Sequence, residues 1–193
     1  MLGQYSFGEA VKNAVALVGT RLFFSHARLV RRPFYLRGKE HLSYGEGFTT
    51  GYSCRFDLAG EGKTLLIGKN CKINDRVHIV AHEKVEIGDN VLMASSIFIS
   101  DTSHGHYSAD SDEMLMPPDD RELWTKPVSI GDNVWIGEGA AIMPGVSLGN
   151  GCIVGTNAVV THSFPAGCVL VGVPAKKIKQ WDFEKKEWAS ISE

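Results

Sequence analysis

The chain has 193 residues, 44% of them apolar, and a formal net charge of −2 from 20 basic and 22 acidic side chains. That length suits one compact core or one long repeat body, and the near-neutral balance with no basic stripe sets nucleic acid aside as a partner. Glu9, Lys12 and Arg21 interrupt the N-terminal apolar residues before they reach the length of a membrane span or an export signal, so a cytoplasmic protein is expected.

Residues Phe7 to Phe24 carry apolar side chains at roughly helical spacing and predict a helix, followed by an Arg-rich linker at Arg28–Pro33. Residues 1–41 are therefore assigned to a helical cap and linker. Capping is preferred because a solenoid needs its ends covered, with peripheral contact of this basic segment with anionic lipid as the alternative.

LSYGEGF at Leu42–Phe48 reads as a degenerate first rung of a repeat. After it, Ile67, Ile73, Ile79, Val85, Val91 and Ile97 stand six apart, and IGKN at Ile67 is matched by IGDN at Ile87 and Ile130. The step from Ile67 to Ile87 is two residues too long for three hexads, which predicts a bulge near Ala81–Lys84.

The hexads stop between Asp101 and Lys126, a loop of about 103–127 whose first residues include His104. An interruption of that length in a regular body usually carries function. The period then resumes with Val128, Val134, Ala140, Val146, Cys152 and Ala158, and a second apolar series follows two residues behind, from Ile130 to Val160. Asn133, Gly139, Gly145, Gly151 and Asn157 recur where the chain must turn, and these residue types tolerate positive φ at least cost. Each hexad is then a short strand and a sharp turn, three hexads close a triangular coil, and residues 42–175 form an all-β parallel β-helix. The tail, 176–193, is expected to form a short helix over Lys176–Ala189. Cys54, Cys71, Cys152 and Cys168 are far apart among aliphatic residues and read as buried, reduced thiols.

The two hexad blocks, the loop opened by a His, the stretch KPVSIGDNVWIGEGAAIMPGVSLGNG and the closing GVPAKKIKQ together resemble the hexapeptide-repeat acyltransferases. Within that family the chain looks most like the galactoside and maltose acetyltransferases and the bacterial O-acetyltransferases of lipopolysaccharide or capsular sugars. The resemblance implies a left-handed coil and a homotrimer with active sites between subunits. It also implies acetyl-CoA as co-substrate, a carbohydrate acceptor and no metal. His104 stands where relatives carry a catalytic His in THP or GHP, with Gly105 replacing the proline. Asn74, thirty positions earlier, matches an Asn that contacts the sugar, and His82 falls where relatives have an acid. His106 and Asp101 are placed on the substrate side. Trp135, Thr156, Thr161, His162, Lys176 and Lys179 match residues beside the coenzyme.

A sugar hydroxyl is a poor nucleophile at neutral pH while a thioester is already activated, so the missing component is a base such as imidazole. Asp101 or Asp75 could orient that imidazole. No Ser or Cys stands in an identifiable nucleophile motif, which favours direct transfer in a ternary complex. The alternatives are an N-acetyltransferase on an amino sugar, a transferase of a longer acyl chain and a non-catalytic repeat scaffold. A zinc enzyme like the β-helical carbonic anhydrases, using His78, His82, His104 and His106, is a further one, although the spacing departs from that family's.

Overall fold

The computed structural model describes residues 6–107 and 112–191; part of the loop assigned to 103–127 and the last two residues of the tail lie outside them. Among the described residues the chain winds as a three-sided prism whose faces are parallel sheets of seven, six and five coil strands. Face one runs from Leu29–Val30 through Thr49–Thr50, Lys72–Ile73, Leu92–Met93, Trp135–Ile136 and Ile153–Val154 to Cys168–Gly172. Face two runs from Phe34–Arg37 to Val159–Val160, and face three from Leu42–Tyr44 to Ser147–Leu148. One strand from each face closes a coil.

The hexad explains the packing. In each short strand one side chain points inward and its neighbour outward, so Ile73, Ile79, Ile87, Met93, Ile99, Ile130, Ile136 and Ile142 stack as a dry column at 4% exposure or less. Burying each such side chain contributes roughly 1.5–3 kcal/mol relative to leaving it in water. The interior is a ladder of like residues one rung apart.

IGDN is a corner device. Ile is the inward residue, and the following Gly leaves room for the side chain of the next rung. A Cβ on Gly88 would collide with Asp132 and one on Gly68 with Asp89. Asp89 Oδ1 accepts the Lys69 amide and Asp132 Oδ1 the Asp89 amide, both at 2.7 Å, so each rung satisfies a backbone donor of the one before. The last residue takes positive φ: 57° at Asn70, 58° at Asn90 and 57° at Asn133.

The expected bulge is present. Two extra residues extend the strand His78–Ala81, and Ala81 is buried with Ile79. The start of the coil differs from expectation: the stretch assigned to the linker already forms a rung, with Leu29↔Thr49 and Phe34↔Cys54 in register. Phe34, Phe48 and Phe56 fill the prism here in place of Ile and Val, which hides the repeat.

α1, Phe7–Phe23, forms as expected and is closed by a capping box in which Ser6 and Glu9 bond each other's backbone. The predicted C-terminal helix is overturned. Ala175–Asp182 and Glu187–Ser190 are strands of an antiparallel hairpin that extends face one beyond Cys168–Gly172. The last coil leaves an unpaired strand edge, and a strand satisfies that edge where a helix would not. Trp181 meets Trp188 edge-on at 5.3 Å, and Asp182 Oδ1 accepts the Glu184 and Lys185 amides in the turn.

Candidate active site

The interrupting loop leaves the prism at the corner between faces two and three. Thr102–His104 pairs antiparallel with Leu123–Thr125, with Ser103 opposite Trp124 and His104 opposite Leu123. Both ends of this hairpin are tied: Lys126 donates to Asp101 O at 2.8 Å and Gly105 to Glu122 O at 2.9 Å. His104 is exposed at the hairpin's outer end. An imidazole there is held by backbone and open to a ligand.

Gly105 has φ 99°, which a proline ring cannot adopt, so the SHG sequence takes a path that THP or GHP could not. Glu113 accepts the His106 and Tyr107 amides, both at 2.8 Å, and clamps the turn after the catalytic candidate.

Asp101 does not face the imidazole or an acceptor. It is fully buried, and its carboxylate accepts the amides of His82 at 3.0 Å and of Glu83 and Lys84 at 2.8 Å. Its charge holds the bulged corner, which removes it from both roles considered for it. Asp75 is engaged likewise, accepting the Tyr52 amide at 2.7 Å.

The remaining candidates fall into two groups. His82, His104, His106, Thr161 and His162 all follow face-two strands, at the corner between faces two and three. Asn74 and Thr156 stand at the corner between faces one and two, where the turn at Gly137 runs so close that a Cβ would lie 2.7 Å from Thr156 N. Trp135, 50% exposed, projects from face one. Its ladder row continues through Ile153 and Val169 to Lys179, with Lys176 further along the same strand. This row is an apolar strip of about three strand spacings, roughly 15 Å, ending in cations. Within one chain, face two separates the groups.

Sequence reasoning missed Trp124. With Thr102, Ser103, His106, Tyr107, Met143 and Pro144 it lines a cavity beside the hairpin, and the His106 and Trp124 rings lie 6.2 Å apart. Only the antiparallel pairing brings Trp124 to Ser103. His78, the fourth ligand of the zinc alternative, sits on face two with Nε2 3.0 Å from Asp57, where Arg55 and Arg37 also converge. Burial raises the Asp57 pKa, but His78 and the two arginines outweigh it and hold the carboxyl below its usual range. Among the described residues no three His, Cys, Asp or Glu side chains are arranged to hold a metal ion.

The sequence model of the bacterial transferase hexapeptide family (six repeats) matches residues 127–162. The chain is 42% identical to the putative lipopolysaccharide biosynthesis O-acetyl transferase WbbJ of Escherichia coli, over 88% of this chain and 87% of that protein. It is 34% identical to the galactoside O-acetyltransferase of the same organism, over 66% of this chain and 59% of the relative. A solved hexapeptide-repeat acetyltransferase of Vibrio cholerae, complexed with acetyl coenzyme A, superposes with a TM-score of 0.58 at 27% identity, covering 91% of this chain and 79% of that one.

Proposed function

The chain belongs to the hexapeptide-repeat acetyltransferases, whose fold is the left-handed parallel β-helix, and on that premise we propose that it moves the acetyl group of acetyl-CoA to a hydroxyl of a sugar or surface-polysaccharide precursor. The observation that carries the reading is an exposed His104 on a hairpin tied at both ends, in a chain related over most of its length to an O-acetyl transferase.

His104 acts as general base. It takes the proton of the acceptor hydroxyl as that oxygen attacks the thioester carbonyl, the carbon–sulfur bond breaks, and the imidazolium returns the proton to the departing thiolate. Direct transfer is favoured over an acyl-enzyme because all four cysteines are buried and free, and burial raises each thiol pKa, that of Cys54 to about 11. The strip from Trp135 through Ile153 and Val169 fits the thiol-bearing arm of the coenzyme, and Lys176 and Lys179 at its end fit the phosphates. Thr156, Thr161 and His162 complete that channel; Asn74, His82 and His106 are assigned to the acceptor.

The two groups of residues supply one site only when face one of one subunit approaches the loop corner of the next. A homotrimer about the prism direction does this three times. O-acetylation is preferred to N-acetylation because the relative that matches most of the chain is named an O-acetyl transferase.

The test is coenzyme A release from acetyl-CoA over a panel of sugars, amino sugars and nucleotide sugars. We expect turnover with a hydroxyl acceptor, and a fall of at least about a hundredfold in His104→Ala with folding and acetyl-CoA binding retained. Undiminished turnover in that variant overturns the mechanism, and acetylation confined to amino groups overturns the O-transferase assignment.

A further inference from the structure

α1 is oriented opposite to a helix that caps a core. It buries only Ala16 and Thr20 against the first rung, where the Thr20 hydroxyl accepts the Val30 amide at 2.8 Å and Asn13 Oδ1 accepts from Arg31 Nε at 2.9 Å. The helix is thus seated by small side chains and hydrogen bonds, and none of its large apolar side chains is buried.

The apolar residues lie on the other side. Phe7, Val11, Val15, Val18 and Leu22 follow one another at intervals of four, four, three and four residues and form one stripe. At about 100° per residue its centre lies roughly opposite the line through Asn13, Ala16 and Thr20. The stripe is open to solvent: Phe7 is 86% exposed, Val15 67%, Val18 62% and Leu22 72%. Lys12 flanks one side of it and Arg21 the other.

Charge is distributed to match. Residues 1–40 carry seven Lys or Arg against two Asp or Glu, whereas the remaining 153 carry thirteen against twenty. The near-neutral total conceals a cationic end and an anionic body. A stripe of large apolar side chains between cations, in a segment of strong positive charge, is complementary to the headgroup and acyl boundary of an anionic bilayer. Among the described residues no helix is long and apolar enough to cross a membrane, so α1 would lie in the plane of the surface.

We propose that α1 is a peripheral membrane anchor that docks the first-coil end of the prism on anionic lipid through the stripe from Phe7 to Leu22. The inference is independent of the reaction assigned above.

Co-sedimentation of the full chain with vesicles tests it, using roughly one-third phosphatidylglycerol in phosphatidylcholine against phosphatidylcholine alone. The wild type is expected to pellet with the anionic vesicles, less so as salt rises. Val15→Glu combined with Val18→Glu should lower that binding at least about tenfold, and Lys12→Gln combined with Arg21→Gln several-fold. Unfolding temperature and subunit number, recorded for every variant, should not move. The proposal is overturned if the wild type ignores anionic vesicles, or if the Val15/Val18 variant changes subunit number while wild-type lipid binding is absent, since a second copy of the chain then covers the stripe.

Discussion

At a corner of the coil a residue must accept positive φ and keep its neighbours' polar groups paired, and Asn does both. Asn70 Nδ2 donates to Asn90 Oδ1, and Asn90 Nδ2 to Asn133 Oδ1, each at 3.3 Å, so the recurring Asn of IGKN and IGDN forms a ladder along one edge. The cysteines use the interior differently. Burial raises the Cys54 thiol from 9.0 to about 11, outweighing the backbone hydrogen bonds that favour its thiolate. A folded pKa above the unfolded value means that this stability is complete below pH 9 and is lost as pH climbs toward about 11. The unfolding temperature should therefore fall across that window more in the wild type than in Cys54→Ala, and a thiol reagent at pH 8 should label the cysteines only after unfolding. Equal slopes for the two proteins would show that the thiol does not titrate late.

At the scale of elements, the loop hairpin depends on a carboxylate that sequence reading assigned to chemistry. Asp101 bridges the hairpin's first residue and the amides of His82–Lys84, joining the bulged corner of one coil to the loop of the next. Asp101→Ala leaves three amides without their acceptor and should lower the unfolding free energy by roughly 2–4 kcal/mol, read as a lower denaturant midpoint at unchanged slope. A change below about half a kcal/mol would mean that water replaces the carboxylate. The C-terminal hairpin belongs to the same scale. Ile178 and Trp181 stand three apart, a spacing that does not announce a strand, and the need for one came from an edge left by Cys168–Gly172, a tertiary feature.

At the scale of the whole molecule, the coil places Trp135, Lys176 and Lys179 on face one and His104 at the corner between faces two and three, with face two between them. The trimer reading therefore makes a prediction that a monomeric site does not. Two inactive variants, His104→Ala and Lys176→Glu with Lys179→Glu, should regain a fraction of wild-type turnover when co-expressed, because some mixed trimers pair an intact loop corner with an intact face one. Absence of recovery in verified mixed trimers would confine the site to one subunit.

The repeat was legible because its cause is local: two inward positions per hexad and a corner residue able to take positive φ dictate a coil wherever they recur. From these alone followed the prism, the interior column, the bulge at Ala81 and the exceptional status of the loop. What the sequence could not contain was which groups the winding brings together. Asp101 and Asp75 looked available until burial assigned their carboxylates to amides, Trp124 gained meaning only opposite Ser103, and the aromatic first rung escaped the hexad pattern. Covering an open edge and exposing the apolar side of α1 were likewise decided by the assembled coil, since both depend on which surfaces other rungs have already satisfied.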